Sequence, residues 1–209
     1  MPKPNYDLEM RNILDRERPA VLLHACCAPC SSACLERLDE KADISIFFYN
    51  PNIIPEEEYQ YRLSELKRLT EEMPLSQRIE IIEGAYEPER FLTFARDMAD
   101  EPERGKRCQK CIAMRLEETA MKAQELQIEY FASTLTLSPH KDMLFINQAG
   151  FEIAEHHAVK WLPSDFKKKE GYKRSIELSH EYCLYRQDFC GCPFSRINKE
   201  REKEKKQTP

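Results

Sequence analysis

Glycine is scarce in this chain, with five residues in 209. A nucleotide cradle is therefore hard to place, because phosphate-wrapping loops need backbone conformations that glycine supplies. Long apolar runs are missing too, so no bilayer-spanning helix is expected. Residues 1–20 are charged and carry Pro2, Pro4 and Pro19 where a secretory signal would have its apolar core, and the expectation is a cytoplasmic protein. An excess of positive charge is also lacking. The formal net charge of -5 excludes a globally basic nucleic-acid binder and confines any RNA contact to a local patch.

Cysteine, by contrast, is abundant: nine residues, an odd number. In a reducing compartment, clustered thiols point to metal or redox chemistry and away from structural disulfides. With 41% hydrophobic and 33% charged residues, the chain suits one compact domain over residues 1–195 and a charged tail over 196–209. Strand patterns at 20–23, 44–49, 79–83, 130–135 and 159–162 alternate with helical patterns at 31–38, 55–73, 88–98, 111–126, 143–156 and 175–185. A further short helix is expected at 6–16. Such alternation predicts an α/β fold, a parallel sheet flanked by helices with a helical C-terminal part.

The first strand leads into His24-Ala25-Cys26-Cys27-Ala28-Pro29-Cys30, three thiols within five residues, at the strand end where open α/β sheets bind ligands. Cys108-Gln109-Lys110-Cys111 stands at the start of a helix, a spacing at which two sulfurs reach one ion and the helix dipole favours thiolates. Cys26, Cys27, Cys108 and Cys111 together make four soft ligands. They suit a tetrahedral zinc or an iron-sulfur cluster, and spacing does not choose between them. A purely structural zinc clip is the plainer alternative, incidental buried thiols the plainest.

Cys190-Gly191-Cys192 differs, since a disulfide across one intervening residue would be strained and readily reduced. A redox pair, a ligand pair and incidental thiols all remain open for it. Cys30 is expected near the same pocket, Cys34 in the core, and Cys183 as a buried structural thiol. His24 and His140 follow strands and are candidate proton donors or ligands, whereas His156 and His157 read as solvated. Lys167, Lys168 and Lys169, with Lys160, Lys173 and Arg174 nearby and Phe166 and Tyr172 interleaved, form either a phosphate-gripping patch or a solvated charged loop.

Six motifs together resemble one family: His24 to Ser31, Tyr49-Asn50-Pro51-Asn52-Ile53, Cys108 to Cys111, Leu135-Thr136-Leu137-Ser138-Pro139-His140-Lys141, Leu162 to Lys168, and Tyr185-Arg186-Gln187-Asp188-Phe189-Cys190-Gly191-Cys192. They are similar to those of the QueH-type epoxyqueuosine reductases, over about residues 19–195. The resemblance implies a Rossmann-like domain related to the PP-loop type. It implies reduction of the epoxide of epoxyqueuosine to the alkene of queuosine at the anticodon wobble position of tRNA, the last step of queuosine biosynthesis, without cobalamin. It also implies a [4Fe-4S] cluster on Cys26, Cys27, Cys108 and Cys111 and a redox-active Cys190 and Cys192.

On that reading Lys167, Lys168, Lys169, Lys173 and Arg174 hold the tRNA, an unidentified donor supplies electrons, and Cys30 or His24 offers a place for an additional metal ion. No membrane partner is expected. Two rivals stand beside it: an ATP-using PP-loop-type tRNA modifier that inserts sulfur, and a zinc-stabilised RNA-binding module.

Overall fold

A computed structural model describes residues 4–207, with side chains described as far as Glu200. Five strands, β1 (Ala20–His24), β2 (Asp43–Phe48), β3 (Glu80–Glu83), β4 (Tyr130–Ser133) and β5 (Lys160–Trp161), form one sheet in the order β3-β2-β1-β4-β5. Every pairing is parallel. Among the described residues eight helices accompany them: α1 (Tyr6–Leu14), α2 (Ala28–Leu38), α3 (Glu56–Glu72), α4 (Pro88–Ala95), α5 (Lys106–Glu125), α6 (Met143–Ala154), α7 (Gly171–Glu181) and α8 (Pro193–Gln207). Single 3₁₀ turns follow α4 and β4. The expected α/β architecture is present.

The central strand explains the layering. Val21 and Leu23 point into one core with Ile46, Phe48, Leu35 and Leu66, while Leu22 points into the other with Phe131, Leu116, Ile146 and Trp161. Alternation along a strand sends neighbours to opposite faces. A strand covered on both faces therefore needs apolar residues at every position, and each fully buried leucine or valine contributes roughly 1.5–3 kcal/mol. The first core lies under α2, α3 and α7, the second under α5 and α6.

The chain leaves β1 toward β2 on one side and returns through α5 to β4 on the other. A crevice opens between the ends of β1 and β4, the switch point at which open parallel sheets place their ligands. Residues 50–52 and the 3₁₀ turn Thr134–Leu137 flank it.

Helix starts depart from the sequence expectation. α2 begins at Ala28, not residue 31, because Pro29 is compatible with a first-turn position and puts the chain into helix early. Ser31 and Ser32 therefore lie inside the helix and bond back into its first turn: Ser31 Oγ donates to Cys27 O and Ser32 Oγ to Pro29 O, both at 2.9 Å. α5 begins at Lys106, which brings both Cys108 and Cys111 inside the helix. α7 covers Gly171–Glu181 and so begins and ends earlier than 175–185. Cys183 is consequently outside it, exposed, at φ 50° just beyond the helix end, which corrects its expected burial. The segment expected as a tail carries α8; residues 208–209 lie outside the described residues.

Candidate active site

Three separate segments bring cysteines to the crevice. Cys26 and Cys27 follow β1, with Cys27 buried at the N-cap of α2 and its Sγ 3.9 Å from that of Cys26. Cys108 and Cys111 enter from the first turns of α5. Residues 190–192 end the link between α7 and α8. There Gly191 adopts φ 109°, and a Cβ on it would stand 2.9 Å from Ile53 Cγ1, so neither conformation nor space admits another residue easily.

That link is pinned from several sides. Ile54 N donates to Gly191 O (3.0 Å), Arg62 Nη1 to Cys190 O (3.2 Å), and Cys190 N to Ser195 Oγ (3.0 Å). The result is a cavity of about 400 Å³ with Cys26, Cys30, Cys108, Cys111, Cys190 and Cys192 on its wall.

The cavity also holds charged groups that sequence reading missed. Arg115, 1% exposed, donates from Nε to Cys111 O (3.2 Å) and from Nη1 to Asn50 Oδ1 (3.4 Å). Arg107, equally buried, donates to Met98 O and Ala99 O and stacks on Phe194 at 4.5 Å. Lys141 Nζ lies 3.0 Å from Cys190 Sγ. No carboxylate pairs with Arg107, Arg115 or Lys141 among the described residues. Burying a cation without a counter-ion costs several kcal/mol, so Arg107 and Arg115, with the partly buried Lys141, favour negative charge at the thiols. Charged side chains normally read as surface; only the position of Lys141 in the motif after β4 marked it in advance.

These cations divide the thiols into two kinds. Burial alone would raise Cys190, yet Lys141, Arg115 and Arg62 outweigh it and hold its thiol below the ordinary range. Cys192 is pushed up to about 12 by burial and by the charge of Cys190. The pair thus holds one sulfur biased toward the anion and one held protonated, the asymmetry thiol redox chemistry uses. Cys26 is raised by its hydrogen bond with Cys27 and by burial, and Cys111 by burial. The Cys26 bond lowers Cys27, but Cys30 and burial override it and push it up to about 12. Among the described residues no three His, Cys, Asp or Glu side chains converge on a single-ion site.

His24 has a different task from the one the sequence suggested. It is fully buried, its Nε2–H donates to Tyr49 O (3.2 Å), and its Nδ1 accepts from Ser133 Oγ (3.0 Å). Both nitrogens are used in tying β1 to the ends of β2 and β4. Burial first and Arg115 second bring its pKa to about 3, so the ring stays neutral with both nitrogens engaged. His140 reaches the cavity wall, and His157 is bound to Glu117 Oε1 at 2.6 Å where solvation was expected. Cys34 is in the core.

The lysine segment lies beside the cavity and contributes Tyr172 to its wall. Lys167 pairs with Asp165 (3.1 Å) and donates to Thr136 O (2.9 Å). Lys173 pairs with Glu170 (3.1 Å) and Arg174 with Glu36 (2.6 Å), while Lys168 and Lys169 project to solvent. No described helix is long and apolar enough to cross a membrane.

Comparison with known proteins follows the same residues. The family model described as epoxyqueuosine reductase QueH matches residues 21–198. The epoxyqueuosine reductase QueH of Staphylococcus epidermidis is 44% identical over 204 residues, covering 93% of this chain and 86% of that protein. Its counterpart in Streptococcus pyogenes is 42% identical over 200 residues, covering 92% and 78%. That of Thermotoga maritima is 37% identical over 186 residues, covering 88% and 93%.

Proposed function

The chain belongs to the QueH family of epoxyqueuosine reductases, and on that premise we propose that it reduces the epoxide of epoxyqueuosine in tRNA to the alkene of queuosine, with loss of the oxygen as water and without cobalamin. The family makes it an oxidoreductase. The conversion takes two electrons and two protons. A dithiol supplies two electrons at once, and Cys190 with Cys192 is the pair suited to it. The single observation that carries this reading is the cavity itself: six cysteines from three segments around buried cations that no carboxylate neutralises.

The donor set also fits a [4Fe-4S] cluster. Cys26, Cys27, Cys108 and Cys111 are four thiolate donors from two segments, and Arg115 supplies positive charge beside them, raised by Cys111, Cys190, Cys26 and Cys108 against its desolvation. A cluster held there would pass electrons singly. Cys30, on the cavity wall, is the thiol left over for an additional metal ion. The residues of the chain do the rest: Arg62 and Ser195 fix the backbone of Cys190, and α5 brings Cys108 and Cys111 to the crevice. Lys168 and Lys169, the solvent-facing cations beside the mouth, hold the tRNA phosphates.

An ATP-using rival is disfavoured by the turn after β1, where Pro29 removes one of the free N–H groups a phosphate cradle uses. The test is anaerobic purification with iron, sulfide and zinc analysis, joined to an assay on tRNA carrying epoxyqueuosine. Brown protein with iron and sulfide that converts the epoxide is expected. Stoichiometric zinc without sulfide, or an untouched epoxide, would overturn the reading.

A further inference from the structure

The segment after β4 ends in a residue that the function so far leaves unused. Ser138 to Asp142 is held at both ends: Lys141 N donates to Ser138 O (3.3 Å), and Asp142 Oδ1 accepts from Leu144 N (2.9 Å) and Phe145 N (3.2 Å) to cap α6. From outside, Arg104 clasps it, donating to Pro139 O (3.0 Å) and His140 O (3.1 Å). So fixed, the loop turns the Lys141 side chain inward onto Cys190 Sγ at 3.0 Å. The carboxylate next to it in sequence is committed to the helix cap. The counter-ion of Lys141 is therefore a sulfur, and a sulfur that loses its charge on oxidation.

We propose, resting on the reductase reading above, that Lys141 is the catalytic acid of the epoxide reduction, its Nζ–H protonating the departing oxygen as Cys190 and Cys192 give up two electrons. The step balances. Both epoxide C–O bonds break, the C=C π bond and the Cys190–Cys192 disulfide form, and the oxygen leaves as water. One of its protons comes from Lys141 Nζ and the other from Cys192 Sγ. The reactants are a Cys190 thiolate, a Cys192 thiol, a Lys141 ammonium and the epoxide; the products are a disulfide, a neutral amine, the alkene and water. A one-electron carrier protein, acting twice, then restores the dithiol, and solvent protons return to Lys141 and Cys192.

Electron and proton release are coupled by the same contact. Burial by itself would lower the Lys141 ammonium, and the charge of Cys190 raises it. When Cys190 enters the disulfide that support is gone, and the ammonium is left desolvated near the like charge of Arg115. It becomes a stronger acid at the moment a proton is needed.

The experiment is an anaerobic single turnover of the reconstituted enzyme, pair pre-reduced, on tRNA carrying epoxyqueuosine. It is run alongside the rate of Cys190 alkylation by iodoacetamide, read by peptide mapping. Lys141→Arg keeps the positive charge but gives up no proton. It should alkylate Cys190 within about threefold of wild type and yet lose turnover by about 10²–10⁴-fold. Lys141→Ala should regain at least about tenfold when methylammonium is supplied as an external acid. An active Lys141→Arg, or a Lys141→Ala that no amine restores, overturns the inference while the function stands. A wild-type enzyme that leaves the epoxide intact overturns the function, and this inference with it.

Discussion

Two cationic regions lie side by side in this protein and obey opposite rules. In the cavity, the buried Arg115 and the partly buried Lys141 lie beside thiols with no carboxylate partner. In the adjoining segment of Lys167, Lys173 and Arg174, each cation is matched by an acid, Asp165, Glu170 and Glu36 respectively. The exposed pairs of Lys173 and Arg174 are worth little, about 0–1 kcal/mol. Cations of the first kind are costly unless an anion joins them. The density of lysines in the sequence draws attention to the outer segment, whereas the sharper electrostatic demand lies inside.

The widest effect expected on the cavity side is at the redox pair. Cys190→Ser or Cys192→Ser should leave brown colour and iron content unchanged while turnover falls by more than about 10³-fold, the scale of losing a group that acts in bond making. Activity of both variants with the physiological donor would break the assignment. Next comes Arg115→Met, which removes the positive charge but keeps the bulk. Iron and sulfide retention should weaken by roughly 10–100-fold, as when a supporting partner of a metal site is removed. Reduction of whatever cluster remains should become harder, measured by redox titration with spectroscopic detection. Unchanged retention would mean the buried charge serves something other than the thiols.

His24 gives a pH test of the same electrostatics. Its folded pKa near 3 lies below its unfolded value, so the unfolded chain binds the extra proton first. The associated stability is complete above about pH 6.5 and drains as pH falls toward the folded value, at about 1.4 kcal/mol per pH unit. Urea unfolding of metal-free protein between pH 6 and 5 should show this slope, and His24→Gln should lack it.

Smaller effects belong to the outer segment. Lys168→Glu with Lys169→Glu should raise the apparent KM for tRNA and reduce the log–log salt slope by about 0.7–0.9 for each phosphate that is no longer neutralised; an unchanged slope would release this segment from RNA binding. Arg174→Met, which breaks the pair with Glu36, should cost under about 1 kcal/mol of stability. A larger loss would erase the contrast between the two regions.

Much of the frame was legible because the central strands are apolar on both faces. Leu22 and Leu23 are buried side by side, and such a run announces an inner parallel strand. Helix starts were less legible: Pro29 admits the chain to α2 early, and Arg107, which reads as solvent-facing, is buried in the first turn of α5 against Phe194. Cys183 misled for the opposite reason. Its apolar neighbours suggested a core helix, but α7 ends at Glu181 and the chain turns out through a positive φ.

By itself the sequence determined the alternation of strands and helices, the chemical character of the site and the family, because thiol spacing and apolar periodicity are local properties of the chain. Tertiary structure alone decided which side chains meet. It brought together Cys26, Cys111 and Cys190 from three distant segments, turned Lys141 onto a thiol, withdrew His24 into the sheet and neutralised most of the lysine segment. Those outcomes depend on burial and on the distance between charges, and neither quantity exists until the sheet and its covering helices have closed around the crevice.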